Sequence, residues 1–191
     1  MNNMNKVTIE GFVMQVTPVD KYGNQRGFIE VTRASGVVDK VPFICKGDSL
    51  KNGCWIAVEG IVQTRNKKDE NGNSHKSMFV RVQKAVELTF TCRNEVLIEG
   101  YLVKKDKLRE TPSGKTIMDA VLAINEDRKS YYPSIIGWYQ NAFHLNQMEI
   151  GTKVRLKARF QSREYIKRTS ESEQVKTAYE LSVSEIEEVE E

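Results

Sequence analysis

Residues 151–163 read GTKVRLKARFQSR, and residues 53–65 read GCWIAVEGIVQTR. Both stretches begin with glycine, alternate apolar residues with polar or small ones, and end on Gln, then Ser or Thr, then Arg. Alternation with a period of two predicts a half-buried β-strand. A small residue lies in the middle of each stretch, Gly60 in one and Ala158 in the other. It predicts a bend or a close backbone approach in a curled sheet.

The segments around these two strands repeat as well, in the same order. The repeat unit is about half of the chain, far longer than a solenoid repeat, and therefore indicates two copies of one domain. Each copy offers about five strands and little room for helix, a pattern typical of an OB-type barrel. The matching segments are 5–13 and 94–102, 28–31 and 117–121, 41–44 and 132–135, and 78–82 and 179–183. We predict an all-β protein of two tandem OB-fold barrels, with domains at 1–90 and 91–191.

One short helix is expected in the second barrel. Residues 138–148, WYQNAFHLNQM, lie between its predicted third and fourth strands. In the first copy the matching segment, 46–50, is reduced to roughly one turn. The connection at 89–93 has no Gly, Pro or Ser run, so the two barrels are predicted to be closely coupled.

The composition is typical of a globular chain with a mild positive charge. No apolar run among the 191 residues approaches the ~18 that a membrane helix needs, and the N-terminus MNNMNK has no signal-peptide core. Cys45, Cys54 and Cys92 form no CxxC pair, which predicts reduced thiols and a cytoplasmic location. The formal net charge is +3, and five glutamates lie within 185–191. We therefore predict two basic barrels followed by an acidic tail, and a basic surface permits a polyanionic partner.

Four segments of the second copy stand out: LRETPSGKTI at 108–117, VLAINE at 121–126, IIGW at 135–138, and the strand at 151–165 that closes on QSREY. With these segments the second copy resembles the bacterial and phage single-stranded DNA-binding protein family, whose relatives include the primosomal replication protein N group. The resemblance covers nearly all of 94–187 in order and is weaker for 5–88. It implies a DNA-binding protein of replication, recombination or repair that tolerates any sequence and needs no cofactor.

In that family, aromatic side chains on the barrel face stack with DNA bases, and the resemblance assigns this role to Tyr132, Trp138 and Tyr165. Stacking tolerates any sequence because every base has a π-face, and it contributes about 1–3 kcal/mol per base. Core packing or a subunit contact is the alternative for each ring, and for Trp138 the alternation with Ile136 favours burial. Lys167 lies close to Tyr165 in the sequence, which favours a position of Tyr165 in the binding groove.

The first copy departs from this pattern. The counterparts of the three aromatic residues are approximately Val41, Gly47 and Lys67, and none is aromatic. Phe43 and Trp55 are candidate stacking residues instead, although Trp55 is equally suited to a dimer interface. This barrel either holds DNA through cations or serves as a scaffold, and the cations are Lys40, Lys46, Arg65, Lys67 and Lys68.

Further cations follow the quoted strand of the second copy. Arg155, Lys157 and Arg159 alternate with core residues and share one outward face. They form either a track for the DNA backbone or a solvated exterior. Arg163 and Arg65 stand at the same place in both copies and are the preferred candidates.

The resemblance also bears on partners. Family members carry a long linker and an acidic tip with an aromatic or apolar hook for replication partners, whereas this chain ends on IEEVEE. Recruitment through such a hook is not expected, and the acidic end is hypothesised to compete with DNA for the basic groove. Family members commonly gather four barrels around DNA, so two barrels per chain predict a homodimer.

No catalytic motif is present. His75 and His144 have no partner at a useful spacing, and neither HExxH, nor a Cys/His cluster, nor a nucleophile elbow occurs. We predict a non-enzyme that binds single-stranded DNA and no metal. Two alternatives stay open: an RNA-binding OB protein, since recognition of the 2′-OH leaves no readable signal, and an OB-fold scaffold for protein interactions.

Overall fold

The computed structural model describes residues 4–48, 50–68, 72, 74–87, 90–126, 128–168 and 173–190. The side chains of Lys67, Lys68, Lys167 and Arg168 lie outside this description. The elements are β1 (Asn5–Met14), β2 (Asn24–Thr32), β3 (Val38–Lys46), β4 (Trp55–Lys68), β5 (Ser74–Glu87), β6 (Arg93–Lys105), β7 (Arg109–Glu110), β8 (Thr116–Glu126), β9 (Lys129–Tyr131), β10 (Ser134–Trp138), α1 (Gln140–Gln147), β11 (Lys153–Arg168) and β12 (Glu173–Glu188).

Two five-stranded barrels account for ten of these twelve strands, and the short strands β7 and β9 pair with β8. In barrel 1, formed by β1 to β5, β1 pairs with β2 and β4, β2 pairs with β3, and β5 closes the ring by pairing with β3 in parallel and with β4 antiparallel. Barrel 2, formed by β6 to β12, repeats this order as β6, β8, β10, β12 and β11. The helix α1 follows β10. The predicted all-β class, the OB-type barrels and the position of the helix are confirmed.

The barrels are joined along their first strands. β1 pairs antiparallel with β6, with Asn5 opposite Ile98 and Glu10 opposite Arg93. One hydrophobic cluster contains inward residues of both barrels, among them Ile9 and Phe160. Because sheet and core are shared, the division into domains 1–90 and 91–191 stays a prediction about folding units. No helix in the described residues is long and apolar enough to cross a membrane.

The small residues in the quoted strands lie at bends. The pairing register shifts between Glu59 and Gly60 in β4, and between Lys157 and Ala158 in β11. A β-carbon added to Gly60 would clash with the carbonyl oxygen of Arg81. The predicted bend and close approach are therefore confirmed, and each bulge lets its long strand curl around the barrel.

An asparagine in each barrel joins the start of the first strand to the fourth. Asn5 Nδ2 donates to the Val62 carbonyl oxygen at 3.1 Å, and the Val62 N–H donates to Asn5 Oδ1 at 2.9 Å. Asn94 makes the same two hydrogen bonds with Phe160, both at 2.7 Å. Each side chain thus satisfies a backbone donor and acceptor beyond the last main-chain pairing, where buried groups need partners.

The predicted acidic tail is wrong for residues 185–188, which belong to β12. Glu187 lies opposite Arg155 and Glu185 opposite Lys157, and both pairs form ion pairs, at 3.0 Å and 3.7 Å. Ile186 packs against the core between them. Cross-strand cations and an inward apolar residue therefore continue the strand through an acidic run.

Candidate nucleic-acid interface

A groove of about 870 Å³ runs along the outer face of barrel 2. Its floor comes from β10, β11 and β12, and the β2–β3 hairpin of barrel 1 contributes one wall through Arg33 and Val37. Among the described lining residues, cations exceed carboxylates seven to two, so the groove attracts anions. The cations are Arg33, Arg93, Arg109, Lys115, Lys157, Arg159 and Arg163, and the carboxylates are Glu95 and Glu180.

Trp138 is the half-buried aromatic residue of this groove. It ends β10 opposite Ile117, and the Lys115 ammonium lies 6.0 Å from the centre of its ring. Its indole Nε1 is buried and has no hydrogen-bond partner among the described residues. The ring is therefore positioned by β10 without being enclosed in the core, and it pairs an apolar face with a cation.

The outward face of β11 supplies the cations of the floor. Ala158 and Phe160 point into the core, so Lys157, Arg159 and Arg163 face outward and line the groove. Lys157 pairs with Glu185 at 3.7 Å. Burial, followed by repulsion from Arg33, lowers the pKa of Arg159.

Tyr165 continues this face beyond the groove. Its side chain is 40 % exposed, and the Arg163 guanidinium carbon lies 6.0 Å from the ring centre. The structure thus brings Tyr165 close to Arg163, as expected for a stacking ring beside a cation. The side chain of Lys167, predicted to join them, lies outside the described residues.

Two predicted residues of the second barrel lie elsewhere. Arg155 does not line the groove; it pairs with Glu99 at 2.6 Å and with Glu187 at 3.0 Å. Hydrogen bonds to Glu99 and then Glu187 raise the pKa of Arg155. Of the three cations predicted to share one face, Lys157 and Arg159 therefore line the groove, whereas the charge of Arg155 is already compensated by two carboxylates outside it.

Tyr132 lies at the junction between the barrels and does not line the groove. Its backbone N–H donates to Thr64 Oγ1 at 2.8 Å, and its carbonyl oxygen accepts from Lys76 Nζ at 3.0 Å. Both partners belong to barrel 1. The ring is 46 % exposed, so its role in stacking stays a prediction at a separate place from Trp138.

The residue equivalent to Tyr132 in barrel 1 is Lys40, not Val41. The Lys40 N–H donates to Ser162 Oγ at 2.9 Å, just as the Tyr132 N–H donates to Thr64. Ser162 and Thr64 occupy the same place in QSR and QTR. The expected counterpart is wrong by one residue.

The same correction applies to Trp138. Phe43 of barrel 1 is equivalent to Ile135 of barrel 2, because Phe43 pairs with Val80 in the same way as Ile135 pairs with Leu181. This equivalence sets Lys46 against Trp138, in place of Gly47. The third counterpart was correct, because β4 and β11 place Lys67 opposite His75 and Tyr165 opposite Lys176. Barrel 1 therefore carries lysine at all three aromatic positions of barrel 2: Lys40, Lys46 and Lys67.

Phe43 is not a stacking residue. It is 1 % exposed and belongs to the core of barrel 1. Its position on the inward face of β3 follows from its pairing with Val80, which is also buried. Since no base can reach this ring, the prediction is wrong.

Trp55 belongs to an aromatic cluster on the outer surface of barrel 1. Its ring centre lies 5.6 Å from that of Phe12 and 4.6 Å from that of Phe90. The cluster shares no residue with the groove of barrel 2. This position agrees better with the interface alternative than with stacking on DNA.

The predicted cations of barrel 1 are dispersed. Lys46 Nζ donates to the Tyr22 carbonyl oxygen at 2.8 Å. Arg65 is exposed and borders a smaller depression of about 260 Å³ together with Phe28 and Tyr179. Burial raises the pKa of Tyr179. The side chain of Lys67 lies outside the described residues.

Sequence reasoning missed several groove residues. Arg109 and Lys115 lie in the turn motif that carried the resemblance, and a closer reading of that motif would have found them. Tyr139, at the start of α1, is 53 % exposed and borders the groove. Arg33 could not have been found, because it reaches the groove only through the packing of barrel 1 on barrel 2.

A five-stranded barrel with a cationic groove and a partly exposed tryptophan defines an OB-fold protein suited to a polyanionic ligand. The model of the "Single-strand binding protein family" matches residues 93–189. The chain therefore belongs to this family of binding proteins, and it is not an enzyme.

Two solved structures agree with the fold. The wild-type single-stranded DNA-binding protein from Thermus aquaticus superposes with a TM-score of 0.76 at 19 % identity, covering 100 % of this chain and 95 % of that one. A deletion mutant of the same protein gives 0.72 and 20 %, covering 100 % and 96 %. The protein priB from Ralstonia solanacearum matches 51 % of this chain and 100 % of its own length, at 17 % identity and a TM-score of 0.40. No curated protein matches the chain.

Proposed function

We propose that this protein binds single-stranded DNA without sequence preference, in the groove of barrel 2. Membership of the single-strand binding family supports the ligand. The observation that carries the site is the arrangement of Trp138 with Lys115, Arg159 and Arg163 along one outer face. Aromatic rings beside cations offer stacking surfaces for bases and contacts for phosphates, the two elements of sequence-tolerant binding.

Aromatic residues serve the first purpose and cations the second. Trp138 stacks with one base and Tyr165 with another farther along the strand. Lys157, Arg159 and Arg163 contact the phosphates between them. Because phosphate contacts release counterions, binding weakens as the salt concentration rises.

We infer further that two chains associate as a homodimer of four barrels, acting in replication, recombination or repair. Closed two-fold symmetry is the commonest arrangement of such assemblies. The aromatic cluster of Phe12, Trp55 and Phe90 is a surface suited to this contact, because Phe90 is 77 % exposed. Light scattering should report twice the chain mass of 21.9 kDa; the mass of one chain at every concentration would contradict the dimer.

The test of DNA binding is fluorescence anisotropy of a labelled oligo-dT of roughly 30 nucleotides, which exceeds the ~4–16 nucleotides that one OB fold occupies. Titrations at two salt concentrations, with duplex DNA and poly-rU as competitors, decide between the ligands. We expect tight, salt-sensitive binding that neither competitor displaces. Effective competition by poly-rU would indicate an RNA-binding protein, and no binding at low salt would leave a scaffold for protein interactions.

A further inference from the structure

A network of charged side chains lies where barrel 1 meets the groove of barrel 2. Arg33, from the β2–β3 hairpin, binds Asp39 through two hydrogen bonds, Nε to Oδ2 at 2.7 Å and Nη2 to Oδ1 at 2.5 Å. Asp39 is fully buried and also accepts from the Ser162 N–H at 3.1 Å. The bond to Asp39 raises the pKa of Arg33. Barrel 1 therefore holds a permanent cation against β11 of barrel 2.

Gln161 brings a second cation to the same place. Its Oε1 accepts from Arg33 Nη2 at 3.4 Å and from Arg159 Nη2 at 3.0 Å. Its Nε2 donates to Glu180 at 2.7 Å, and Glu180 lies 3.7 Å from Arg163 Nε. One buried amide thus links guanidinium groups of two barrels.

Among the described residues, this network has more positive than negative charge, and one of its hydrogen-bond donors has no partner. It contains three guanidinium groups, of Arg33, Arg159 and Arg163, but only two carboxylates among the described residues, those of Asp39 and Glu180. Arg159 Nε is buried without a hydrogen-bond partner among the described residues. A further acceptor with one negative charge, such as a phosphodiester, would balance it.

We propose that Arg33, together with Arg159 and Arg163, forms a phosphate-binding site shared by the two barrels, through which barrel 1 completes the groove of barrel 2. The inference rests on the proposed binding of single-stranded DNA and assigns Arg33 a direct contact with one phosphate. Asp39 positions Arg33 and is itself out of reach of the strand, since its side chain is 0 % exposed.

Removing Arg33 alone would leave the Asp39 carboxylate buried and unpaired, which is destabilising. The test is therefore the double variant Arg33→Gln with Asp39→Asn, which keeps the formal net charge. Oligo-dT binding should weaken about tenfold, the loss expected for one hydrogen bond to a charged group. The slope of log K against log salt should become shallower by about 0.7.

A matched control removes a charge pair away from the groove. Lys84 and Glu59 lie opposite each other on β5 and β4, and both are exposed. The variant Lys84→Gln with Glu59→Gln should bind as the unaltered protein does. If the Arg33 variant is folded and also retains wild-type affinity and salt slope, the shared site is wrong. If the unaltered protein itself fails to bind oligo-dT, the proposed function fails instead.

A second measurement uses the unaltered chain and does not depend on how the variant folds. Phenylglyoxal modifies accessible arginines, and the Arg33 and Arg163 side chains are 24 % and 54 % exposed. Bound oligo-dT should protect both from modification, as measured by mass spectrometry. Arg155, which lies outside the groove, should react equally with and without DNA. Unchanged modification of Arg33 in the presence of saturating DNA would overturn the proposal.

Discussion

The two barrels have the same frame and different outer surfaces. Each has an asparagine that clamps its fourth strand, Asn5 or Asn94, and a bulge at the middle of that strand. At the three positions compared above, however, barrel 2 carries aromatic residues and barrel 1 carries lysines. The repeated features are those that close the barrel, because inward residues and backbone partners leave little freedom. The outer face is free to differ, and the proposed contacts with DNA differ there between the barrels.

The hairpins through which each barrel contacts the other also differ, in this case in the sign of the charge they carry. Arg33, on the β2–β3 hairpin of barrel 1, faces the groove of barrel 2. The equivalent residue of barrel 2 is Glu126, which accepts a hydrogen bond from Asn5 Nδ2 at 2.6 Å. One barrel thus receives a cation from its neighbour and the other receives a carboxylate. This difference predicts that an anionic strand prefers barrel 2.

The largest expected effect concerns the frame. Gly60→Ala should lower the free energy of unfolding by about 3 kcal/mol, since the added carbon would force the Arg81 backbone to shift and overpacking has this cost. At the equivalent place, Ala158→Gly should cost only about 0.5–1 kcal/mol, from the greater freedom of glycine. Urea denaturation followed by circular dichroism measures both. Equal losses would contradict the close approach of Gly60 to the Arg81 backbone.

The second effect concerns stacking. Trp138→Ala should weaken oligo-dT binding by about 1–3 kcal/mol, the contribution of one stacked base, without changing the far-ultraviolet circular dichroism. Lys46→Ala, at the equivalent position of barrel 1, should cost less, because a lysine offers charge and no ring. Trp138→Phe is the matched control and should recover most of the affinity. Anisotropy titration checks all three, and an equal or larger loss for Lys46→Ala would reverse the proposed roles of the barrels.

The fold was predictable from sequence because period-two alternation and the repeated glycines report inward positions directly. The equivalence of the barrel faces was not, and the reason is specific. The alignment of 41–44 with 132–135, which sets Pro42 against Pro133, is wrong by one residue, as the pairings of β3 with β5 and of β10 with β12 show. In a strand, a shift of one residue exchanges the two faces. That single error hid the lysines at positions 40 and 46.

The site was predictable only in part, for a different physical reason. Trp138, on β10, was a candidate through the family resemblance, whereas Arg159 and Arg163 were candidates through the periodicity of β11 and a position repeated in both copies. Arg155 lies on the same strand, yet Glu99 and Glu187 compensate its charge, and cross-strand partners cannot be read from one strand alone. The position of Arg33 depends on the contact between barrels.

The third effect makes barrel 2 resemble barrel 1. Tyr165→Lys introduces the residue found at position 67, removing a ring and adding a charge. Affinity at high salt should fall by about 1 kcal/mol, the lower end for loss of a stacked base. The salt dependence should become steeper by about 0.7, because one more cation contacts phosphate. Tyr165→Phe keeps the ring and should leave both quantities unchanged. A Tyr165→Lys variant with an unaltered salt slope would place this position away from the strand.

The smallest effect distinguishes the barrels by the length of DNA they contact. Arg163→Gln should make the salt slope shallower by about 0.7, through loss of one phosphate contact, with oligo-dT of either roughly 10 or roughly 30 nucleotides. Arg65→Gln should do so only with the longer strand, since a single OB fold occupies ~4–16 nucleotides and a short strand fills the groove of barrel 2 first.

Arg163→Lys and Arg65→Lys, which keep the charge, serve as controls in the same anisotropy titrations. An effect of Arg65→Gln on the short strand would mean that barrel 1 binds DNA as readily as barrel 2. No effect on the longer strand would mean that the lysine-bearing face of barrel 1 does not contact DNA. The lysines that replace the aromatic residues would then stabilise no complex with DNA, and barrel 1 would contribute to binding through its hairpin alone.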